Sequence, residues 1–237
     1  MRNYNVYLSG MAKGLEDKLF FLDHLNLNNF DRVVDFGCGG GTILQALANT
    51  GLELIGVDND SYMRDVADKS VPKAKIYNTL TRDMLNERTI LIFSSVLHEV
   101  EDDWFKLVNI IYGTGCTIVV RDMRYIAANH LIKREDLARL VEYAHPTYLA
   151  DFIRHWGLET EKDMYHFLLK YTYVDNWALE VKENYFSFNY SALFSLGEVR
   201  YIDNYVLPFK REQVLRDFGI ELKNPTHTKI ILKVNKE

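Results

Sequence analysis

Val33-Val34-Asp35-Phe36-Gly37-Cys38-Gly39-Gly40-Gly41-Thr42 carries an apolar run straight into an Asp-x-Gly-x-Gly-x-Gly pattern. The run before Asp35 reads as a buried strand, and residues 42–50 behind the last glycine read as a short helix. Glycines at 37, 39 and 41 permit positive φ and let a ligand lie against bare backbone at a helix N-terminus. In open α/β sheets, such a turn at the carboxyl end of the first strand is where nucleotides bind. Two phosphate-binding readings fail. A dinucleotide fingerprint needs glycine at 42, where Thr42 stands, and the Gly-Lys-Ser/Thr ending of a P-loop is absent. Asp35 argues the same way, because a carboxylate repels phosphates and attracts a cationic amine.

The flanking sequence repeats the alternation of strand and helix. Residues 52–58 (LELIGVD), 89–95 (TILIFSS) and 116–122 (CTIVVRD) are strand-like, with a weak strand at 75–77. Asp60 is a helix cap for residues up to Ala67, and residues 102–112 are helical in pattern. Near-continuous apolar strands separated by helices predict a doubly wound parallel sheet of the α/β class. After Asp122 the period changes. Leu137, Leu140, Val141 and Ala144 recur at helical spacing, as do Leu149, Phe152, Ile153 and Trp156, then Met164, Phe167, Leu168 and Tyr171. Residues 143–190 hold 13 of the 31 aromatics, about twice the average density, so 124–197 is expected to be a helical insert before the last strands. Strand character returns at 199–207 and 228–234, around a polar helix at 210–218. The expected organisation is an N-terminal helical cap over 1–30, a core over 31–123 and 198–237, and the insert between them.

With 237 residues, 48% of them hydrophobic and 26% charged, the chain can bury a sizeable core. Its net charge of −5 gives no global field for nucleic acid. Two cysteines, Cys38 and Cys116, exclude a disulfide scaffold or a zinc ribbon. No apolar run approaches the roughly 18–20 residues of a membrane span and the start lacks a signal-peptide core, so a cytoplasmic protein is expected.

Asp58 ends the second strand, 23 positions after Asp35, where a carboxylate accepts ribose hydroxyls. An ammonium, a nucleoside and no phosphate together describe S-adenosylmethionine. These residues resemble the first two motifs of the class I S-adenosylmethionine-dependent methyltransferases, and residues 91–100 (LIFSSVLHEV) resemble that family's fourth strand and following loop. The resemblance covers roughly residues 30–123. It implies a Rossmann-like, mostly parallel seven-stranded sheet with a final antiparallel strand, and S-adenosylhomocysteine as product. Asp35 with Gly37, Cys38, Gly39 and Gly41 would hold the methionine moiety, Asp58 the ribose, and Asn59 the adenine edge. Ser94 or Ser95 would line the sulfonium side, and Asn78 is the best substitute for an acidic adenine partner that the third strand lacks. Residues 11–21 resemble a helix that often closes over the donor.

Methyl transfer draws much of its rate from alignment, so it needs no dedicated nucleophile. His98 and Glu99, just past the fourth strand, are the candidates for proton removal, with support of the loop as the plainer role for His98. His-Glu-x-x-His zinc chemistry is excluded, since position 102 is Asp102. Arg121, in Arg121-Asp122-Met123, either orients substrate or closes the sheet as a buried ion pair. No Asn/Asp-Pro-Pro-Tyr/Phe and no Pro-Cys pair is present, which disfavours DNA bases and pyrimidine C6 as acceptors. Tyr165, Tyr171, Tyr173 and Trp177 of the insert suit either a planar acceptor or a core, and His227 is a further cleft candidate. The favoured partner is a small molecule methylated on O or N. RNA methylation and a non-catalytic donor-binding scaffold are the alternatives.

Overall fold

A computed structural model describes residues 4, 8, 14–100, 103–124, 126 and 129–236. In chain order its strands are β1 (Arg32–Phe36), β2 (Glu53–Val57), β3 (Lys75–Tyr77), β4 (Thr89–Ser94), β5 (Thr117–Met123), β6 (Gly197–Tyr205) and β7 (His227–Val234). The helices are α1 (Leu15–Lys18), α2 (Thr42–Ala46), α3 (Ser61–Ser70), α4 (Trp104–Ile111), α5 (Arg134–Tyr143), α6 (Pro146–Trp156), α7 (Glu161–Tyr171), α8 (Trp177–Glu180), α9 (Tyr190–Phe194) and α10 (Pro208–Phe218). The seven strands form one sheet in the order β3-β2-β1-β4-β5-β7-β6. The first five are parallel, with Asp35 level with Gly56 on one side and Ile92 on the other. An antiparallel bridge from Thr114 to Lys236, and the Val234 N–H donating to Cys116 C=O, set β7 antiparallel to β5. The order reverses direction between β1 and β4, which places Asp35 at the topological switch point.

The chain divides into two compact units. The sheet unit comprises Leu8–Asp122, Phe188–Asp203 and Thr228–Glu237; the helical unit includes Met123–Ser187 and Asn204–His227. In the sheet unit, strand side chains alternate between faces with period two. Leu91 and Phe93 of β4 join Val34, Ile118, Trp104 and Leu107 on one face. Ile90 and Ile92 join Val33, Val119, Leu44 and Phe21 on the other. The helices start where their chemistry allows. The Asp60 carboxylate accepts the Tyr62 and Met63 N–H groups at 2.8 and 3.3 Å and caps α3. Of the expected N-terminal cap, residues 1–3, 5–7 and 9–13 lie outside the described residues. From residue 15 the chain makes the single turn α1 and a 3-10 turn, Phe20–Asp23, that buries Phe20 and Phe21.

The helical unit has its own core of Leu140, Phe152, Phe167, Leu168, Val214 and Phe218. Its three central helices follow the sequence periodicity, but α5 buries a narrower stripe than that pattern implies: Leu140 and Ala144 are buried while Val141 is 64% exposed. Pro208 opens α10 at its first turn, where a missing N–H costs nothing. Two lysines lie in this core. The Lys170 ammonium donates to the carbonyls of Glu180 and Glu183 and sits 3.9 Å above the Tyr185 ring. The Lys210 ammonium donates to Leu169 C=O at 3.2 Å and lies 3.9 Å above the Tyr173 ring. No helix among the described residues is long and apolar enough to cross a membrane.

Candidate functional site

At the carboxyl edge of the sheet the chain leaves β1 through three left-handed glycines, Gly37 (φ 73°), Gly39 (φ 51°) and Gly41 (φ 83°). The N–H groups of Gly37 and Cys38 both donate to Val57 C=O, and Gly41 N–H closes the turn on Cys38 C=O. Crowding adds to the conformational demand: a Cβ on Gly37 would lie 2.6 Å from Val96 Cγ2. Asp58 braces the turn from β2. Its Oδ2 accepts Gly39 N–H at 2.8 Å, and its Oδ1 accepts Asp60 N–H at 2.9 Å. Each carboxylate oxygen has a second lone pair, so these bonds leave capacity for ribose hydroxyls.

Asp35 is 2% exposed at the end of β1. Burial pushes its carboxyl up to about 7, with the Lys18 ammonium pulling it down and Asp58 pushing it further up. Lys18 is itself drawn down to about 8 by burial and by Arg121, against the attraction of Asp35 and Asp17. Asp17 takes ion pairs from Arg121 Nε and Lys229 Nζ, both at 2.7 Å. A short turn of N-terminal helix thus sets Asp17 and Lys18 beside the glycine turn. Nothing in local sequence signals this, because the partners are about a hundred positions away or more for Asp17.

Beyond β4 the site continues. Ser94 Oγ is buried with no hydrogen-bond partner among the described residues. Ser95 is left-handed (φ 58°), a backbone strain for a residue with a Cβ. Its N–H donates to Arg121 C=O, and its Oγ accepts from Arg121 Nη1, both at 2.8 Å. Arg121 is therefore engaged by Ser95 and Asp17 and only 5% exposed. Asp122, fully buried, accepts Val96 and Leu97 N–H on Oδ2 at 2.8 and 2.6 Å, while its Oδ1 lies 2.8 Å from His98 Nδ1. The Glu99 carboxylate is 3.9 Å from His98 Nε2. Burial and the Asp122 charge hold the Tyr190 hydroxyl well above its ordinary pKa, with Arg121 opposing.

Asp35, the glycines, Asp58, Ser94, Ser95, His98, Glu99 and Arg121 thus lie along one sheet edge. Asn59 and Asn78 are exposed, just past the ends of β2 and β3. Cys38 is 2% exposed and packs beneath Gly56, whose Cβ would lie 2.8 Å from its Sγ. The insert aromatics and His227 belong to the helical unit. There Tyr165 and Tyr171 hydroxyls accept backbone N–H bonds from Lys223 and His145, Tyr173 covers Lys210, and Trp177 is 6% exposed. His227 Nδ1 is 2.8 Å from Thr226 Oγ1. Among the side chains that touch predicted ones, Asp17 and Lys18 carry no signal in the local sequence. The Asp122 bonds to residues 96–98 are long-range, so no short window shows them.

The arrangement suits a ligand with a cationic amine. A buried carboxylate stands on the strand that runs into the left-handed turn, and the neighbouring strand ends at a hydroxyl without a hydrogen-bond partner among the described residues. Residues 34–112 match the family model described as a methyltransferase domain. An uncharacterised methyltransferase of Oceanobacillus iheyensis is 29% identical over 82 residues, covering 32% of this chain. The matched segment spans 37% of that relative's length. Among solved structures, a methyltransferase from Anabaena variabilis dependent on S-adenosylmethionine has a TM-score of 0.50 at 14% identity, covering 95% of this chain and 85% of its own. The MccD protein has a TM-score of 0.51 at 10% identity, covering 91% and 95%. At such identities the structural likeness is one of fold. The sheet unit has a Rossmann-like fold. Residues 34–112 lie within that unit, so the family-model match falls on the strands and glycine turn that build the site.

Proposed function

We propose that the protein transfers a methyl group from S-adenosylmethionine to an oxygen or nitrogen atom of a small-molecule acceptor. The observation that carries this reading is the buried Asp35 carboxylate beside the left-handed glycine turn, which favours an ammonium over a phosphate. In this reading Asp35 and the backbone of Gly37, Cys38, Gly39 and Gly41 hold the amino-acid end. Asp58 takes the ribose, Asn59 and Asn78 border the adenine, and Ser94 and Ser95 flank the sulfonium. The bound donor supplies an electrophilic methyl carbon on a positively charged sulfur. His98 and Glu99 manage the acceptor's proton. Arg121, held by Asp17 and Ser95, keeps the loop after β4 in place.

Titration calorimetry with S-adenosylmethionine and S-adenosylhomocysteine tests the donor half; absence of binding at millimolar concentration removes the reading. Incubation with radiolabelled donor and fractionated cell extract tests the acceptor half. Label in small metabolites is expected, and label confined to RNA or protein overturns the small-molecule assignment.

A further inference from the structure

Both carboxylate oxygens of Asp122 are engaged at the sheet edge, and no step above uses them. One oxygen takes two consecutive backbone N–H groups, from Val96 and Leu97, and the other faces His98 Nδ1 at 2.8 Å. We propose that Asp122 is a positioning residue that fixes His98 with its proton on Nδ1 and its lone pair on Nε2, and that the acceptor this pair serves is a hydroxyl. This rests on the methyltransferase reading and narrows its acceptor atom to oxygen.

A carboxylate is acceptor-only, so a 2.8 Å contact with an imidazole nitrogen requires that nitrogen to carry the hydrogen. That assigns the basic lone pair to Nε2. The same carboxylate pins the turn that carries the ring, so imidazole and backbone are aligned together. The turn is set against the donor cradle, where Val96 fills the space that a side chain on Gly37 would need. His98 itself is 8% exposed, shielded from bulk water as a base for a weakly acidic proton should be.

The chemistry of the acceptor follows from the need for such a base. A neutral amine attacks with a lone pair it already has, and its ammonium product sheds a proton to water afterwards. A hydroxyl oxygen that attacks without losing its proton would give a strongly acidic oxonium. In the proposed step the hydroxyl oxygen forms the new O–C bond, and the electron pair of the breaking C–S bond stays on sulfur, leaving a neutral thioether. His98 Nε2 takes the hydroxyl proton, and the imidazolium then carries the positive charge lost from sulfur, next to Asp122.

Histidine-selective ¹⁵N NMR on the intact protein at pH 8 tests the tautomer, with H98Q identifying the His98 signals among the seven histidines. The expected spectrum has a protonated Nδ1 and an unprotonated Nε2 at His98; the reverse tautomer overturns the proposal. H98Q keeps the Asp122–backbone bonds. It is expected to bind S-adenosylmethionine within twofold of wild type while labelled-methyl turnover falls at least 100-fold. D122N should show the same split, together with a changed His98 tautomer. Undiminished turnover in H98Q overturns the proposal even if D122N does not fold. The labelled product should be a base-stable methyl ether, and an N-methyl product overturns the acceptor class. Failure of wild type to bind the donor removes the underlying methyltransferase reading. Donor binding with the wrong tautomer removes this inference alone.

Discussion

Asp35 shows how a buried residue couples ligand binding to stability. Its folded-state pKa of about 7 lies above the ordinary carboxylate range because burial penalises the charge. Between that range and about 7 the folded state holds a proton that the unfolded state has lost, so this residue's contribution favours folding at low pH and is lost as pH rises through 7. An ammonium ligand wants the opposite, the ionised form. Donor affinity is therefore expected to rise from pH 6 to pH 8, with proton release at the lower pH. Calorimetry in two buffers of different ionisation enthalpy measures both, and a flat profile would contradict the pairing of Asp35 with the donor amine. Asp35→Asn should weaken donor binding by about 10- to 100-fold, the worth of a charge-assisted hydrogen bond, while the melting temperature at pH 8 holds or rises.

At the level of elements, backbone conformation and caps make the sharpest distinctions. Gly37→Ala must accept both φ 73° and a 2.6 Å clash with Val96. Gly51→Ala meets a similar φ of 81° with nothing within 4 Å. Denaturant unfolding should show a loss of about 1 kcal/mol for Gly51→Ala and about 2–4 kcal/mol for Gly37→Ala. Thr160 and Asp163 form a reciprocal capping box at the start of α7, so Thr160→Ala should cost about 1 kcal/mol by the same assay. Features like these are readable from sequence because they are local. The glycine spacing, the Asp60 cap and the β-branched runs of β4 and β5 each report on a few neighbouring residues. The ion pairs of Asp17 and the three bonds of Asp122 depend on strand order and register, and no short window contains them. The outward turn of Val141 on α5 was equally hidden, since periodicity marks a face without saying how much of it is covered.

The molecule as a whole carries separate cores in its sheet and helical units, and tryptophan placement lets each be followed. Trp104 belongs to the sheet unit, Trp156 and Trp177 to the helical unit. Phe152 is completely buried, so Phe152→Ala should destabilise the helical unit by about 3–5 kcal/mol. A protein bearing only Trp104 should then show a fluorescence transition closer to the unsubstituted one than does a protein bearing only Trp156 and Trp177. Coincident shifts in both would mean that the two cores melt as one.

The left-handed backbone of Ser95 has a consequence for anyone seeking to harden this protein against heat. Glycine at that position would relieve the torsion, yet it would also delete the hydroxyl that steadies the Arg121 guanidinium. The turn after β4 is thus a place where robustness and precise side-chain placement pull in opposite directions, and a stabilising exchange there is expected to leave the guanidinium less firmly held.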